Sequence, residues 1–301
     1  LEAIEFSNSN GAKPFILGSG TNLVLTQDVE GIVLKIELKG KRIEGNFVTL
    51  GAGENWHDSV LWTLKNGFYG LENLALIPGT VGAAPIQNIG AYGEEISSKI
   101  NSVEVIDLEN GHKEELLKED CFFEYRHSFF KEVRSKYLIT GVKLELSKEP
   151  NTNTTYKSLY NFLVRDDIDP NTGTPNQVCR AVTFLRQQIL PDPDKVPNVG
   201  SFFKNCILDK NRFEKIKEIF KDLPFFLIND GKYKIPSAYL IEKAGWKGYK
   251  EKEVSISSKH SLILITSGKA KSLEVMNLSS KIIEDIAHKY GIILEIEPYV
   301  F

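Results

Sequence analysis

Apolar residues along this chain recur in two rhythms. A helical rhythm places Trp56, Val60, Leu61 and Leu64 on one face of residues 55–66, and Val178, Val182 and Leu185 on one face of residues 175–189. The same spacing sets Val275, Leu278, Ile282, Ile283 and Ile286 along residues 272–290. Shorter helical runs are predicted at 211–221 and 237–244. The second rhythm predicts strands in GIVLKIEL from Gly31 and in KRIEGNFVTLGAG, with a turn near Gly45-Asn46. Further strands are expected at 103–106, 137–146, 254–257 and 261–266, and in the last run, IILEIEPYVF. PFILGSGTNLVL, from Pro14, reads as a short buried strand, a tight turn and a second strand or short helix. Two stretches break the rhythm. Residues 150–169 are polar and read as a boundary or inserted loop, while Pro191, Pro193 and Pro197 mark a linker without regular structure.

A chain of 301 residues holds two domains' worth of core, and its 42% hydrophobic content is that of an ordinary globular protein. The net charge of −3 leaves no global basic field, so nucleic acid is not an expected partner. Cys121, Cys179 and Cys206 are odd in number and far apart, against a disulfide framework and in favour of a reducing compartment. The five histidines show no ligand spacing, so no metal is expected. No apolar run approaches the roughly 18 residues of a membrane span. Cytoplasm is the default expectation.

The candidate chemistry gathers around GLENLALIPGTVGAAPIQNIGAYGEEI, Gly70 to Ile96. Its five glycines cost backbone entropy that a packing segment avoids, and glycine-rich turns can aim backbone N–H groups at phosphate. A Gly/Pro-punctuated surface loop explains the same composition equally well. Gly18-Ser19-Gly20, followed by Thr21 and Asn22, suits a pyrophosphate, but it is not GxGxxG and a plain β-turn reads it as well. His57 lies on the first helix and reads as a surface or capping histidine. Arg126 in FFEYRHSFF, Ser201 in VGSFFKN and Glu297 in ILEIEPYV are polar residues in apolar company. They need one another, a ligand or solvent.

Taken together, GSGTN at 18–22, the 70–96 stretch, CFFEYRHSFFK at 121–131, GSFFKN at 200–205, IPSAYLIEKAGWKG at 235–248 and LEIE at 294–297 resemble the UDP-N-acetylenolpyruvoylglucosamine reductase family, in its longer, type I form. The resemblance covers nearly the whole chain. It implies an α+β protein: an FAD-binding domain of the vanillyl-alcohol-oxidase (PCMH) type over 1–148, a type I lid and connecting helix over 149–190, and a smaller α+β substrate-binding domain over 191–301. It implies non-covalent FAD, NADPH as reductant, and reduction of a UDP-sugar, UDP-N-acetylglucosamine enolpyruvate, for peptidoglycan synthesis by a cytoplasmic monomer or weak oligomer.

By the same resemblance, Gly18, Ser19, Gly20, Thr21 and Asn22, with Pro78, Gly79, Thr80, Gly82 and Ala83, would hold the FAD phosphates, and Gln87, Asn88, Ile89, Gly90 and Ala91 would line the flavin. Arg126 matches the arginine that meets the substrate carboxylate, Ser201 the proton donor and Glu297 the glutamate that polarises the carboxyl group. Tyr125, Tyr156, Asn205, Lys234 and His260 would contact the substrate, with Tyr156 on the lid. Two positions depart from the family pattern. Ile189 stands where a diphosphate-binding lysine is expected, with Lys195 as a substitute charge, and Pro298-Tyr299 stand where Val-Arg is common.

Overall fold

The computed structural model describes residues 2–12, 14–134, 136–228 and 231–301. The chain divides into two compact units, one of Leu1–Thr21 with Val29–Arg186, the other of Asn22–Asp28 with Gln187–Phe301.

The first unit is built on a five-stranded antiparallel sheet in the order Lys41–Glu44, Phe47–Gly51, Tyr137–Glu145, Ile100–Asp107, Lys113–Leu117. The turn expected at Gly45-Asn46 joins the first two strands, and Gly45 takes the left-handed backbone there (φ +64°). Val48, Leu50, Val103, Val105, Val142 and Leu144 bury one side of the sheet. Each such side chain contributes about 1.5–3 kcal/mol of transfer free energy. The helix Trp56–Lys65 closes this core with Trp56, Val60 and Leu64, and Asn55 caps it by accepting the Asp58 N–H at 3.0 Å. A smaller cluster, Ile4 with Ile106, Leu108 and Leu138, seats the first helix, Glu2–Ser9.

The polar run 150–169, read from sequence as a loop, contains a helix, Lys157–Arg165. Leu159, Phe162 and Leu163, spaced i, i+3, i+4, are its buried face, and they join the main core with Val178 and Val182 of the helix Pro175–Ile189.

The second unit carries a four-stranded sheet in the order Asn198–Ser201, Ile263–Thr266, Val254–Ile256, Lys250–Glu251. A three-stranded sheet sets Tyr233–Ile235 between Cys206–Leu208 and Phe226–Leu227. Phe202, Phe203, Phe213, Leu240, Leu264, Ile282 and Ile286 form one core. The helix Ser272–Tyr290 follows its periodicity, opens with the Glu274 carboxylate accepting the Lys271 N–H, and ends at Gly291 (φ +66°). The expected last strand shrinks to Tyr299–Val300, which pairs in parallel with Leu23–Val24 from the other end of the chain. The Thr26 hydroxyl and amide both donate to the Phe301 carbonyl. Upstream of Pro298, which has no N–H to donate, the run is held by an isolated bridge of Ile296 with Phe203.

Candidate functional site

In the first unit the two glycine-rich loops meet. A Cβ on Gly18 would lie 3.0 Å from Thr80 Oγ1, and one on Gly79, whose φ is +126°, would lie 3.2 Å from Thr21 Oγ1. Ser19, Gly20 and Thr21 are exposed, while Gly82 is buried and Thr80 and Ala83 half-buried beneath the turn they form. The Gly79 and Thr80 carbonyls accept from Trp56 and Ala83, so this turn is anchored to the core. Two hydroxyls and two side-chain-free backbones converging on an open edge are the donor set and clearance that a diphosphate requires. The residues present therefore fit the phosphates of FAD. Asn22 belongs to the second unit, where its carbonyl accepts the Tyr299 N–H at 2.9 Å.

Asn88 organises the segment that follows. Its Nδ2 donates to Glu95 Oε2 (2.8 Å) and to the Glu124 carbonyl (3.0 Å), and its Oδ1 accepts the Ser97 N–H (3.0 Å). This satisfied network holds a buried Asn at φ +46°. Glu124 begins the turn that presents Tyr125 and Arg126. Arg126 has φ +54°, and its guanidinium donates to the Gly90 carbonyl (2.7 Å) and the Asn88 carbonyl (3.3 Å) and lies 5.1 Å from the Tyr125 ring centroid. Asn88, Gly90, Tyr125 and Arg126 are thus gathered into one constellation.

Tyr156 precedes the helix Lys157–Arg165, half-buried, with its ring centroid 5.3 Å from that of Tyr92 in an edge-on contact. Burial pushes the Tyr92 hydroxyl up to about 12 and raises that of Tyr156. Both phenols stay protonated donors. The segment leading to Tyr156 is tied down, since Asn73 Nδ2 donates to the Tyr92 and Asn153 carbonyls and Asn153 Nδ2 donates to Glu94 Oε1.

In the second unit Ser201 and Glu297 flank one residue. Phe202 donates its N–H to the Leu262 carbonyl and accepts the Glu297 N–H, both at 2.9 Å, while Phe203 bridges Ile296. Phe202 and Phe203 are buried, so their packing fixes the backbone on which Ser201 and Glu297 stand. Lys204, next along, pairs with the exposed Glu295 at 2.9 Å. Asn205 Oδ1 accepts the Ser237 N–H, and Ser237 Oγ in turn donates to the Lys204 carbonyl. His260 lies two residues before Leu262; its Nδ1 accepts the Leu262 N–H at 3.3 Å, and burial lowers its pKa, so the ring is neutral with its proton on Nε2. Lys234 lies on a different sheet, its ammonium 5.8 Å from the Phe226 ring centroid. Lys195, the expected substitute for the missing charge at Ile189, is an exposed partner of Asp192 at 3.4 Å.

Two residues near the cofactor segment escaped sequence reasoning. His57 is a long-range tether: its Nδ1 accepts the Leu76 N–H at 3.0 Å, which holds Leu76 at φ +58°. Arg186, on the helix Pro175–Ile189, donates through Nε to the Leu76 carbonyl at 3.3 Å. A guanidinium in the last turn of an amphipathic helix reads as solvated surface, and nothing in its spacing points to Leu76.

Comparison with known proteins covers both units. Residues 1–116 match the family model for an FAD binding domain, and residues 192–301 match that of the UDP-N-acetylenolpyruvoylglucosamine reductase C-terminal domain. The UDP-N-acetylenolpyruvoylglucosamine reductase of Flavobacterium johnsoniae is 40% identical over 100% of this chain and 90% of its own length. That of Pseudomonas aeruginosa is 37% identical over 100% and 89%. The crystal structure of the Thermus caldophilus enzyme of that name aligns with a TM-score of 0.68 at 21% identity, covering 99% of this chain and 88% of the other. The last likeness speaks for the fold.

Proposed function

Because the chain belongs to the UDP-N-acetylenolpyruvoylglucosamine reductase family, it is an FAD-dependent oxidoreductase that uses NADPH to reduce UDP-N-acetylglucosamine enolpyruvate to UDP-N-acetylmuramate, and we propose that Arg126, Ser201 and Glu297 carry out that reduction. Bound FAD supplies the two-electron carrier between NADPH and the enolpyruvyl ether. The loops at Gly18–Thr21 and Pro78–Ala83, with Asn22, hold its phosphates, and Gln87–Ala91 line its ring.

The chain's own residues then handle charge and one proton. Hydride addition at C3 of the enolpyruvyl group leaves negative charge on C2 and its carboxylate. Arg126 meets that carboxylate with a charge-assisted pair. The observation that carries this role is its anchorage: a guanidinium fixed on the Asn88 and Gly90 carbonyls is aimed before the substrate arrives and spends nothing on reorganisation. Ser201 gives its proton to C2, a task open to a weak acid because the enolate is a strong base. Glu297, on the other side of Phe202, polarises the carboxyl group. Asn205 and His260 contact the diphosphate, the latter through Nε2–H; Tyr125 and Lys234 complete the substrate contacts, and Tyr156 closes the 149–190 segment over the sugar.

Residues 1–148 would serve as the FAD-binding domain and 191–301 as the substrate domain, the enzyme working in the cytoplasm as a monomer or weak oligomer without nucleic acid. No helix among the described residues is long and apolar enough to cross a membrane. The test is the purified protein under anaerobic conditions. It should be yellow, bleach with NADPH and regain colour with UDP-N-acetylglucosamine enolpyruvate. Ser201→Ala should bleach at the wild-type rate and recover colour slowly; equal slowing of both halves overturns the serine assignment.

A further inference from the structure

A tyrosine stands where a tight hairpin turn ordinarily takes asparagine or glycine. The strands Gly90–Ala91 and Glu94–Glu95 pair antiparallel, and the two residues between them, Tyr92 (φ +48°) and Gly93 (φ +87°), both take the left-handed backbone. Two-residue turns of this kind favour Asn-Gly or Gly-Gly, and a bulky aromatic in the first place is strained. Such an outlier persists where its surroundings hold it. Asn73, which is 1% exposed, holds this one. Its Nδ2 has two protons and places one on each of two main-chain carbonyls, that of Tyr92 at 2.8 Å and that of Asn153 at 2.7 Å.

The second carbonyl lies 80 residues further along the chain, at the foot of the lid. Asn153 reaches back to the same hairpin from its own side. Its Nδ2 donates to Glu94 Oε1 at 2.8 Å and to the Gly93 carbonyl at 3.3 Å, and a Cβ on Gly93 would lie 3.4 Å from that nitrogen. Its Oδ1 accepts the Thr155 N–H at 3.2 Å and the Thr155 hydroxyl at 2.7 Å. Tyr156 is the next residue, and its ring meets that of Tyr92 edge-on, with 5.3 Å between centroids. A continuous path of hydrogen bonds and one ring contact thus joins the Gly90–Ala91 strand, assigned above to the flavin, to the lid tyrosine, all within the first unit.

We propose that Asn73 is a positioning residue: by joining the Tyr92 and Asn153 carbonyls it fixes where the Tyr156 phenol stands relative to the cofactor segment, and so sets the affinity for the UDP-sugar through Tyr156 rather than by contact of its own. This rests on the functional reading above, in which Tyr156 contacts the substrate. It gives the strained turn a purpose, since the bent Tyr92 offers its carbonyl to Asn73 and its ring to Tyr156 at once.

Stopped-flow reoxidation of the NADPH-reduced holoenzyme by UDP-N-acetylglucosamine enolpyruvate tests it, read as the half-saturating concentration and the maximal rate in the wild type, Asn73→Ala, Tyr156→Phe and the double variant. Each single variant should raise the half-saturating concentration about tenfold, the scale for losing one hydrogen bond, and leave the maximal rate unchanged. Because Asn73 acts through Tyr156, the double variant should bind no worse than Tyr156→Phe alone. Penalties that multiply in the double variant overturn the proposal. So does an Asn73→Ala whose loss lies in the maximal rate or in a shifted flavin absorbance spectrum, which would place its action on the cofactor segment, or in thermal unfolding alone, which would make it a strap. If Asn73→Ala retains no FAD, Asn73→Ser, which keeps one donor, takes its place in the same cycle with the same outcomes. A Tyr156→Phe that binds the UDP-sugar as the wild type does sinks the reading of Tyr156 and this inference with it; an impaired Tyr156→Phe beside an unimpaired Asn73→Ala sinks this inference alone.

Discussion

The two regions proposed to carry the reduction, one in each unit, are held by opposite means. Around Arg126 the backbone is bent into sparsely populated conformations: Leu76, Asn88, Tyr92, Phe122 and Arg126 are five of the seven described non-glycine residues with positive φ. Such positions cost of order 1–3 kcal/mol each and persist only where the surroundings over-determine them. Here the surroundings are polar bonds: Asn88 to Glu95, Ser97 and Glu124, His57 to Leu76, Arg126 to Asn88 and Gly90. Around Ser201 and Glu297 the chain runs extended apart from an irregularity before Ser201, where Gly200 takes φ +65°, and the packing of Phe202 and Phe203 holds it. The first region is fixed by hydrogen bonds against strain at non-glycine residues, the second by apolar burial, its left-handed position before Ser201 being a glycine. A cofactor that needs close backbone approach demands unusual turns, whereas a serine and a glutamate need only adjacent rungs.

Variants on each side can break this contrast. The largest expected effect is on the packed side. Phe202→Ala should cost about 3–5 kcal/mol of stability, seen as a lowered thermal unfolding transition. A loss below 1 kcal/mol would show that packing is not what holds the Ser201–Glu297 rungs. On the polar side, Arg126→Met should slow reoxidation by substrate by roughly 10²–10³-fold, the scale for losing one preorganised donor. Arg126→Lys should rescue little, because one ammonium cannot hold both carbonyls and still offer a planar fork. Full rescue by lysine in stopped-flow reoxidation would mean that charge alone suffices and the bent backbone does not matter.

The smallest effect sharpens the contrast through pH. His57 accepts the Leu76 N–H only when neutral, and burial lowers its folded-state pKa below the ordinary value of about 6.5. Its contribution to stability is therefore fully present above about pH 6.5 and is lost as pH falls from there through the lowered folded value. Urea titrations between pH 7.5 and 5 should show this acid-side slope, and His57→Gln should reduce it. An identical slope in the variant would assign the proton uptake to another group.

Most regular elements were legible because their side chains repeat. The helix Ser272–Tyr290 and the strand Tyr137–Glu145 carry enough apolar positions for periodicity to exceed noise, and Gly45-Asn46 announces its turn. The helix Lys157–Arg165 was not legible, because its three buried residues are diluted in a polar run. The site divides in the same way. Gly18, Gly79, Arg126, Ser201 and Glu297 stand in local motifs dense enough to resemble a family. His57 and Arg186 act through the backbone of Leu76, 19 and 110 residues away, and a contact set by the fold leaves no trace in local spacing.

The parallel pair of Leu23–Val24 with Tyr299–Val300 has a consequence for the order of assembly during synthesis. Thr26 and Phe301 are 275 residues apart, so at a translation speed of roughly 5–20 residues per second the first rung waits about 15–60 s for its partner. Throughout that interval the nascent chain carries an unpaired strand edge, a place where a chaperone or another nascent chain can add itself. Pairing of these two strands is thereby a late event in synthesis.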